Sequence, residues 1–327
     1  MTASPYPNRT AAYKPALAWF ALIGSTWVFV LIALGAYTTS IGAGMVFLDW
    51  PLSDGSINPA GWLSEMDKFA EHSHRLSAKV MSAITILLAV WVWRTEARSW
   101  LRQLALFAVG LVLLQALVGG LRVLCDHLHI ETVNTSVGRV FAMLHACMAQ
   151  VFVCNLMAVT IALSRGWIER AAPIAAGVRR MGLICCGLIL LQLAIAAVMR
   201  HSYAGLAIPT FPASTADGGW LPAHWNFRIG IHFAHRAMAV VLSVVLVWLA
   251  IRIWRDRGAS LGLRCGASVL VSLLAFQIML GAWVIWSQRS ALITTGHVLV
   301  GAAILLTTFW LTWLAHRDRL ENARVAL

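Results

Sequence analysis

A chain of 327 residues with 60% hydrophobic and only 12% charged residues lies far from an ordinary soluble domain, where about a quarter of residues are charged. The formal net charge of +12 would suit a nucleic-acid binder, but the arginines fall in short segments between apolar runs. They mark membrane topology and exclude nucleic acid as a partner.

Apolar runs near the roughly 20 residues needed to cross a bilayer recur throughout and predict an all-α integral membrane protein in the lipid bilayer. The N-terminus, MTASPYPNRTAAYKP, has no cleavable signal pattern and is short for a transit peptide. The first run, 17–38, is therefore expected to serve as an uncleaved anchor in a bacterial plasma membrane. A longer segment with Asp49 and Asp54 follows, and FAEHSHRLSAKV, with Glu71, His72, His74 and Arg75, stands at the mouth of the second run, 75–94. Arg94, Arg98 and Arg102 separate it from the third run, 101–124, and Asp126 and Glu131 lie before the fourth, 140–163. Arg165, Arg170, Arg179 and Arg180 precede the fifth run, 181–199, and Asp217 lies before the sixth, 229–253. Arg252, Arg255, Arg257 and Arg264 lead to the seventh, 265–286, and Arg317, Arg319 and Arg324 follow the eighth, 294–315. The basic segments are expected in the cytoplasm with both termini, and the longer acidic loops outside.

The two halves repeat. GMVFLDWP and GLAIPTFP align with Gly44 to Gly205 and Pro51 to Pro212 both offset by 161, and His74-Arg75 recurs as His235-Arg236 at the same offset. Gln115 matches Gln277 and Gly119 matches Gly281 at 162, while His145 matches His297 at 152, after a shorter loop. Four runs per half is an even number, so both halves cross the membrane in the same direction. The expectation is two pseudo-symmetric four-helix bundles, residues 1–165 and 166–327.

Of 11 histidines, four occupy matched intramembrane positions: His74, His145, His235 and His297. Imidazoles at membrane depth are costly and usually functional. Two on facing helices suit the axial positions of haem iron, whose other four ligands are the porphyrin nitrogens; zinc would want three or four converging ligands. Arg75 and Arg236, each next to a ligand candidate, are placed either to pair with haem propionates or to anchor the interface. Gln115 and Gln277 suit helix-to-helix hydrogen bonds, and Gly119, Gly120 and Gly281 suit close packing. Three residues before the ligand stands Glu71 in one half and His232 in the other, so a carboxylate flanks the first site only, and His232 is a second ligand candidate at the other. His127 and His129 resemble a metal chelate only superficially, while His72, His201, His224 and His316 read as interfacial or loop residues. Six cysteines occur without CxxC or CxxCH, which argues against c-type attachment. Cys185 and Cys186 read as small apolar residues.

These residues together resemble the haem A synthases, membrane enzymes that convert haem O to haem A for terminal oxidases. The resemblance covers essentially the whole chain: the eight runs, GMVFLDWPL (family pattern GMxxxDWPL), Glu71-His72-Ser73-His74-Arg75 (ExxHR), and single histidines at His145, His235 and His297. It implies that His74 and His145 hold the substrate haem O, that Glu71 is the catalytic acid or base, and that His235 and His297 hold a b-type haem. It further implies haem O synthase and a terminal oxidase under assembly as partners; the electron donor or acceptor is unidentified and homo-oligomerisation is open. Many members carry cysteine pairs in the outer loops, and this chain has none there, which puts any thiol-dependent step in question. The competing reading is a di-haem b-type cytochrome exchanging electrons with quinone, which gives Glu71 no role; a haem carrier or a transporter fits less well.

Overall fold

The computed structural model describes residues 12–169 and 176–322, and these are almost wholly helical. In chain order the helices are α1 (Pro15–Ser40), α2 (Met66–Thr95), α3 (Ser99–Leu124), α4 (Val137–Leu163), the short α5 (Arg165–Glu169), α6 (Ala176–His201), α7 (Phe227–Arg255), α8 (Leu261–Trp286) and α9 (Ala291–Asn322). All but α5 are long and apolar enough to cross a membrane, eight among the described residues. Two-residue strands, His129–Ile130 and Thr135–Ser136, pair antiparallel before α4.

Local chemistry sets the ends. Pro15 opens α1, where its missing N–H is no loss. Ser136, Asn226 and Ser260 cap α4, α7 and α8 by accepting the backbone N–H groups of Arg139, Ile229 and Leu263. The second helix starts at Met66 rather than near residue 75. Asp67, Lys68 and Glu71 dilute its hydropathy without opposing helix, and Asp67 lies in the first turn, where the helix dipole favours an acid. Glu71, His72, His74 and Arg75 are therefore set within the helix and not at its mouth.

Helices α1 to α4 pack in a ring, each on the next, with α4 closing on α1; α6 to α9 do the same, with α9 closing on α6. The rings meet where α1 packs on α9 and α4 on both α6 and α9. Within each ring the packing is uneven along the axis. One end is filled by buried side chains, such as Leu17, Leu88, Leu101 and Leu156 in the first ring and Leu249, Ile253, Leu263 and Leu311 in the second. Nearer the other end comes a layer in which no residue is fully buried: 29–35, 73–76, 113–117 and 143–149 in the first ring, and 190–196, 233–241, 275–279 and 296–301 in the second. All four matched histidines fall in this layer. Interiors normally pack as densely as organic crystals, so a loose layer at the same level of both rings leaves room for a flat apolar guest.

The filled end is tied shut by polar contacts. Arg98 holds Glu96 at 2.9 Å and Glu321 of the last helix at 3.2 Å. The Trp167 indole donates to Glu321 Oε1 at 2.6 Å, Arg317 Nε donates to the Trp167 carbonyl at 2.5 Å, and the Trp167 and Trp313 rings stack at 6.0 Å. Lys14 donates to the Thr95 carbonyl at the same end. Burial alone would raise the Glu96 carboxyl, but the hydrogen bonds and charge of Arg98 outweigh it and hold it below its usual 4.5. A lowered value in the folded state means this stability is present above the usual value and is lost as pH falls through the lower one. Arg98→Ala strands a carboxylate that is 2% exposed and is expected to destabilise the protein by about 3 kcal/mol at neutral pH. Unfolding in detergent would show this as a lower midpoint, with the difference from wild type shrinking in acid.

Candidate functional site

The first pair faces across its ring from α2 and α4. His74 lies against Gly35 of α1, where an added Cβ would fall 2.7 Å from the imidazole Cε1; His145 lies against Gly119 of α3, where it would fall 3.0 Å away. Glycine at these two positions lets each ring lie directly on a helix backbone. His145 Nδ1 is 3.1 Å from the Gln115 carbonyl, and the Gln115 amide donates to the His145 carbonyl at 3.0 Å. With Nδ1–H donated to a carbonyl, the lone pair is left on Nε2, the usual arrangement for a metal-binding imidazole.

The second pair comes from α7 and α9. The His235 and His297 ring centres are 6.4 Å apart at 60°. Gly281 of α8 backs His297, with an added Cβ 3.2 Å from Cε1, and the Gln277 amide nitrogen is 3.4 Å from His297 Nε2. Gln192 of α6 places its amide nitrogen 3.0 Å from both the Nδ1 and the carbonyl of His235. Sequence comparison of the halves missed Gln192, because its partner at 192 − 161 is Leu31 and the repeat test discards unmatched residues. Its signal was an amide inside an apolar run.

These sites can be tested against a metal. Metal–imidazole bonds of about 2 Å on each side, plus ring radii of about 1 Å, put two axial rings roughly 6 Å apart, and the second pair matches. Among the described residues, no three His, Cys, Asp or Glu side chains gather as a metal cluster. Two neutral imidazoles in a loose apolar layer fit a planar macrocycle that brings its own nitrogens.

The flanking residues form a second repeated device. Arg75 donates to the carbonyls of Phe47 at 2.9 Å, Asp49 at 2.8 Å and Leu52 at 2.5 Å. Arg236 donates to those of Ile208 at 3.0 Å, Thr210 at 2.7 Å and Ala213 at 3.3 Å. Each acceptor pair is offset by 161, so one guanidinium per half clamps the loop that follows α1 or α6. Most donors of both guanidinium groups thus go to loop carbonyls. Position 71/232 completes the clamp. Glu71 accepts from the N–H groups of Val46 at 2.7 Å and Phe47 at 3.3 Å and pairs with Arg75 at 2.5 Å. His232 stands 3.2 Å from the Ile208 N–H and 3.2 Å from Arg236 Nε. A neutral imidazole accepts only one of those bonds, whereas a carboxylate accepts all three. His232 thus faces the loop, which leaves His235 as the ring partner of His297. His72, expected at an interface, is 1% exposed, with Nδ1 3.0 Å from Ser53 Oγ and its ring 4.8 Å from that of Trp62.

A family model described as COX15-CtaA, cytochrome oxidase assembly protein, matches residues 18–310. Among curated proteins, the chain is similar to a heme A synthase of Bacillus licheniformis, 26% identical over 80% of this chain and 83% of that one. It is similar also to heme A synthases of Rhodospirillum centenum, 27% identical over 95% and 90%, and of Shouchella clausii, 26% identical over 91% and 96%.

The glycine cradles carry a prediction. Gly35→Ala should push His74 aside and weaken haem uptake at the first pair by about tenfold or more, read by Soret titration. Gly281→Ala, with more clearance, should weaken the second pair less.

Proposed function

We propose, on the premise that the chain belongs to the COX15-CtaA family of cytochrome oxidase assembly proteins, that it is a haem A synthase, oxidising a ring methyl of haem O to the formyl group of haem A. The observation that carries this reading is the duplicated histidine pair in its loose layer, in a chain whose relatives bear that name over most of their length. The two halves, 1–165 and 166–327, take different roles. His74 and His145 hold the substrate haem O. His235 and His297 hold a b-type haem, which when bound supplies one-electron chemistry.

Taking a methyl to a formyl group with oxygen drawn from water, R–CH3 + H2O → R–CHO + 4 H+ + 4 e−, releases protons as well as electrons, so the first site needs a proton acceptor beside it and a membrane electron acceptor beyond it. Glu71 lies three residues from His74 on the same face of α2, and two backbone N–H groups and Arg75 converge on it. His232 stands at the matched place in the other half, so a carboxyl group beside the histidine pair belongs to the first half alone, and this reading gives it the proton-accepting role. The loops that follow α1 and α6, residues 41–65 and 202–226, contain no cysteine, so thiols there play no part and electrons leave by the second site. The arginine-rich end belongs in the cytoplasm by the positive-inside rule, which sets both histidine pairs toward the outer face. Haem O synthase supplies the substrate and a terminal oxidase under assembly takes the product.

The test is haem extraction from membranes of a host that makes haem O but no haem A. Expression of this chain should yield haem A or its hydroxylated precursor, and His74→Ala or His145→Ala should abolish both. Unaltered haem O with a folded, haem-loaded protein would point instead to a di-haem electron-transfer cytochrome. In the same assay Glu71→Gln, which keeps the shape and one acceptor oxygen, should lower turnover about 100-fold or more with haem still bound. Turnover within twofold of wild type would reduce Glu71 to a loop support.

A further inference from the structure

Where the two rings meet, beyond the histidine layer, lies a cavity of about 130 Å³ lined by Arg122, Arg139, Arg200, Arg289 and His201, with Asp126 as the one acid among its described lining residues. Asp126 is itself engaged by the Ser136 hydroxyl at 2.5 Å. Arg200 donates to the Ala36 carbonyl at 2.7 Å and Ser40 Oγ at 2.8 Å, and Arg139 stands over the Tyr203 ring at 5.2 Å. None of the four guanidinium groups forms an ion pair among the described residues. All four are partly buried, where charge without a counter-charge is costly, and planar guanidinium forks match carboxylate and phosphate oxygens.

The cavity's position follows from helix geometry. Gly35 touches His74, and Thr39, four residues on, lines the cavity. Gly119 touches His145, and Arg122, three residues on, lines it; Ala142, three residues before His145, lines it too. Three helices thus set the cavity about one turn, roughly 5 Å, beyond the first imidazole pair. Its arginines also break the repeat. The partners of Arg122, Arg139 and Arg200 at offsets 162, 152 and 161 are Val284, Ala291 and Thr39. A device present once serves one site.

We infer that this cavity takes the carboxylates of the porphyrin held by His74 and His145, so that Arg200 and Arg289 of the second half complete the binding site of the first. The inference rests on the haem reading above and gives the propionates partners in place of Arg75, whose donors hold a loop. An anionic lipid headgroup offers the same oxyanion chemistry.

The test titrates the purified full-length chain in neutral detergent with iron protoporphyrin IX and with its dimethyl ester, following the Soret band, in a His297→Ala background so that the first pair is read. The diacid should bind at least about tenfold more tightly than the ester. Arg289→Gln should close most of that gap while leaving ester binding unchanged, and Arg200→Gln, which also loses its bonds to Ala36 and Ser40, should narrow it. Arg289 makes no side-chain hydrogen bond or ion pair among the described residues, so its variant retains the fold. Equal binding of diacid and ester, or a gap that neither variant alters, overturns the inference. So does stabilisation of the wild type against heat by phosphatidylglycerol but not phosphatidylcholine, lost in both variants, with diacid and ester bound alike; that result assigns the cavity to lipid. Failure of either porphyrin to bind in a way that depends on His74 and His145 sinks the haem reading itself, a separate result.

Discussion

Irregular backbone near a membrane must find hydrogen-bond donors and acceptors within the protein, because lipid offers none. In this molecule that constraint is met by one guanidinium per half. Arg75 and Arg236 each gather three carbonyls of the loop ahead of them, and each stands next to a histidine of the candidate site. The loop, the helix turn and the imidazole are thereby fixed as one unit. Trp50–Pro51 and Phe211–Pro212 are both cis and both belong to these clamped loops, so the repeat extends to backbone detail that pairwise identity would not reveal.

Against that shared frame, the departures from symmetry acquire meaning. Position 71/232 keeps its hold on the loop while changing from carboxylate to imidazole. Gln192 supports His235, where the first half has Leu31. The arginine-lined cavity has no repeated counterpart. All three differences concentrate charge near the first pair and neutral hydrogen bonding near the second.

Much of this was legible in the sequence because its signals are periodic or repeated. The eight runs follow from hydropathy, and the four histidines from their matched places in the two halves, at offsets of 161 and 152. The start of α2 was not legible, since Asp67, Lys68 and Glu71 lower hydropathy while helix geometry tolerates them. The role of Arg75 stayed open between a propionate and the membrane interface, because a guanidinium beside a ligand candidate says nothing of which way its donors turn. His72 and His201 were set aside as interfacial, yet one is buried against Ser53 and Trp62 and the other lines the arginine cavity. Those contacts depend on how the outer loops fold back on the helices, and neither spacing nor composition encodes them.

The tie between Arg98 and Glu321 has a consequence for biogenesis. The first ring is complete in sequence once α4 has been made, yet the Trp167 indole finds its acceptor, and Arg98 its second carboxylate, only near the C-terminal end of α9. A chain still emerging from the ribosome therefore holds an unfinished polar junction under its first bundle through the synthesis of four further membrane helices. At this face assembly is closed only by the last helix, at a junction separate from either histidine pair.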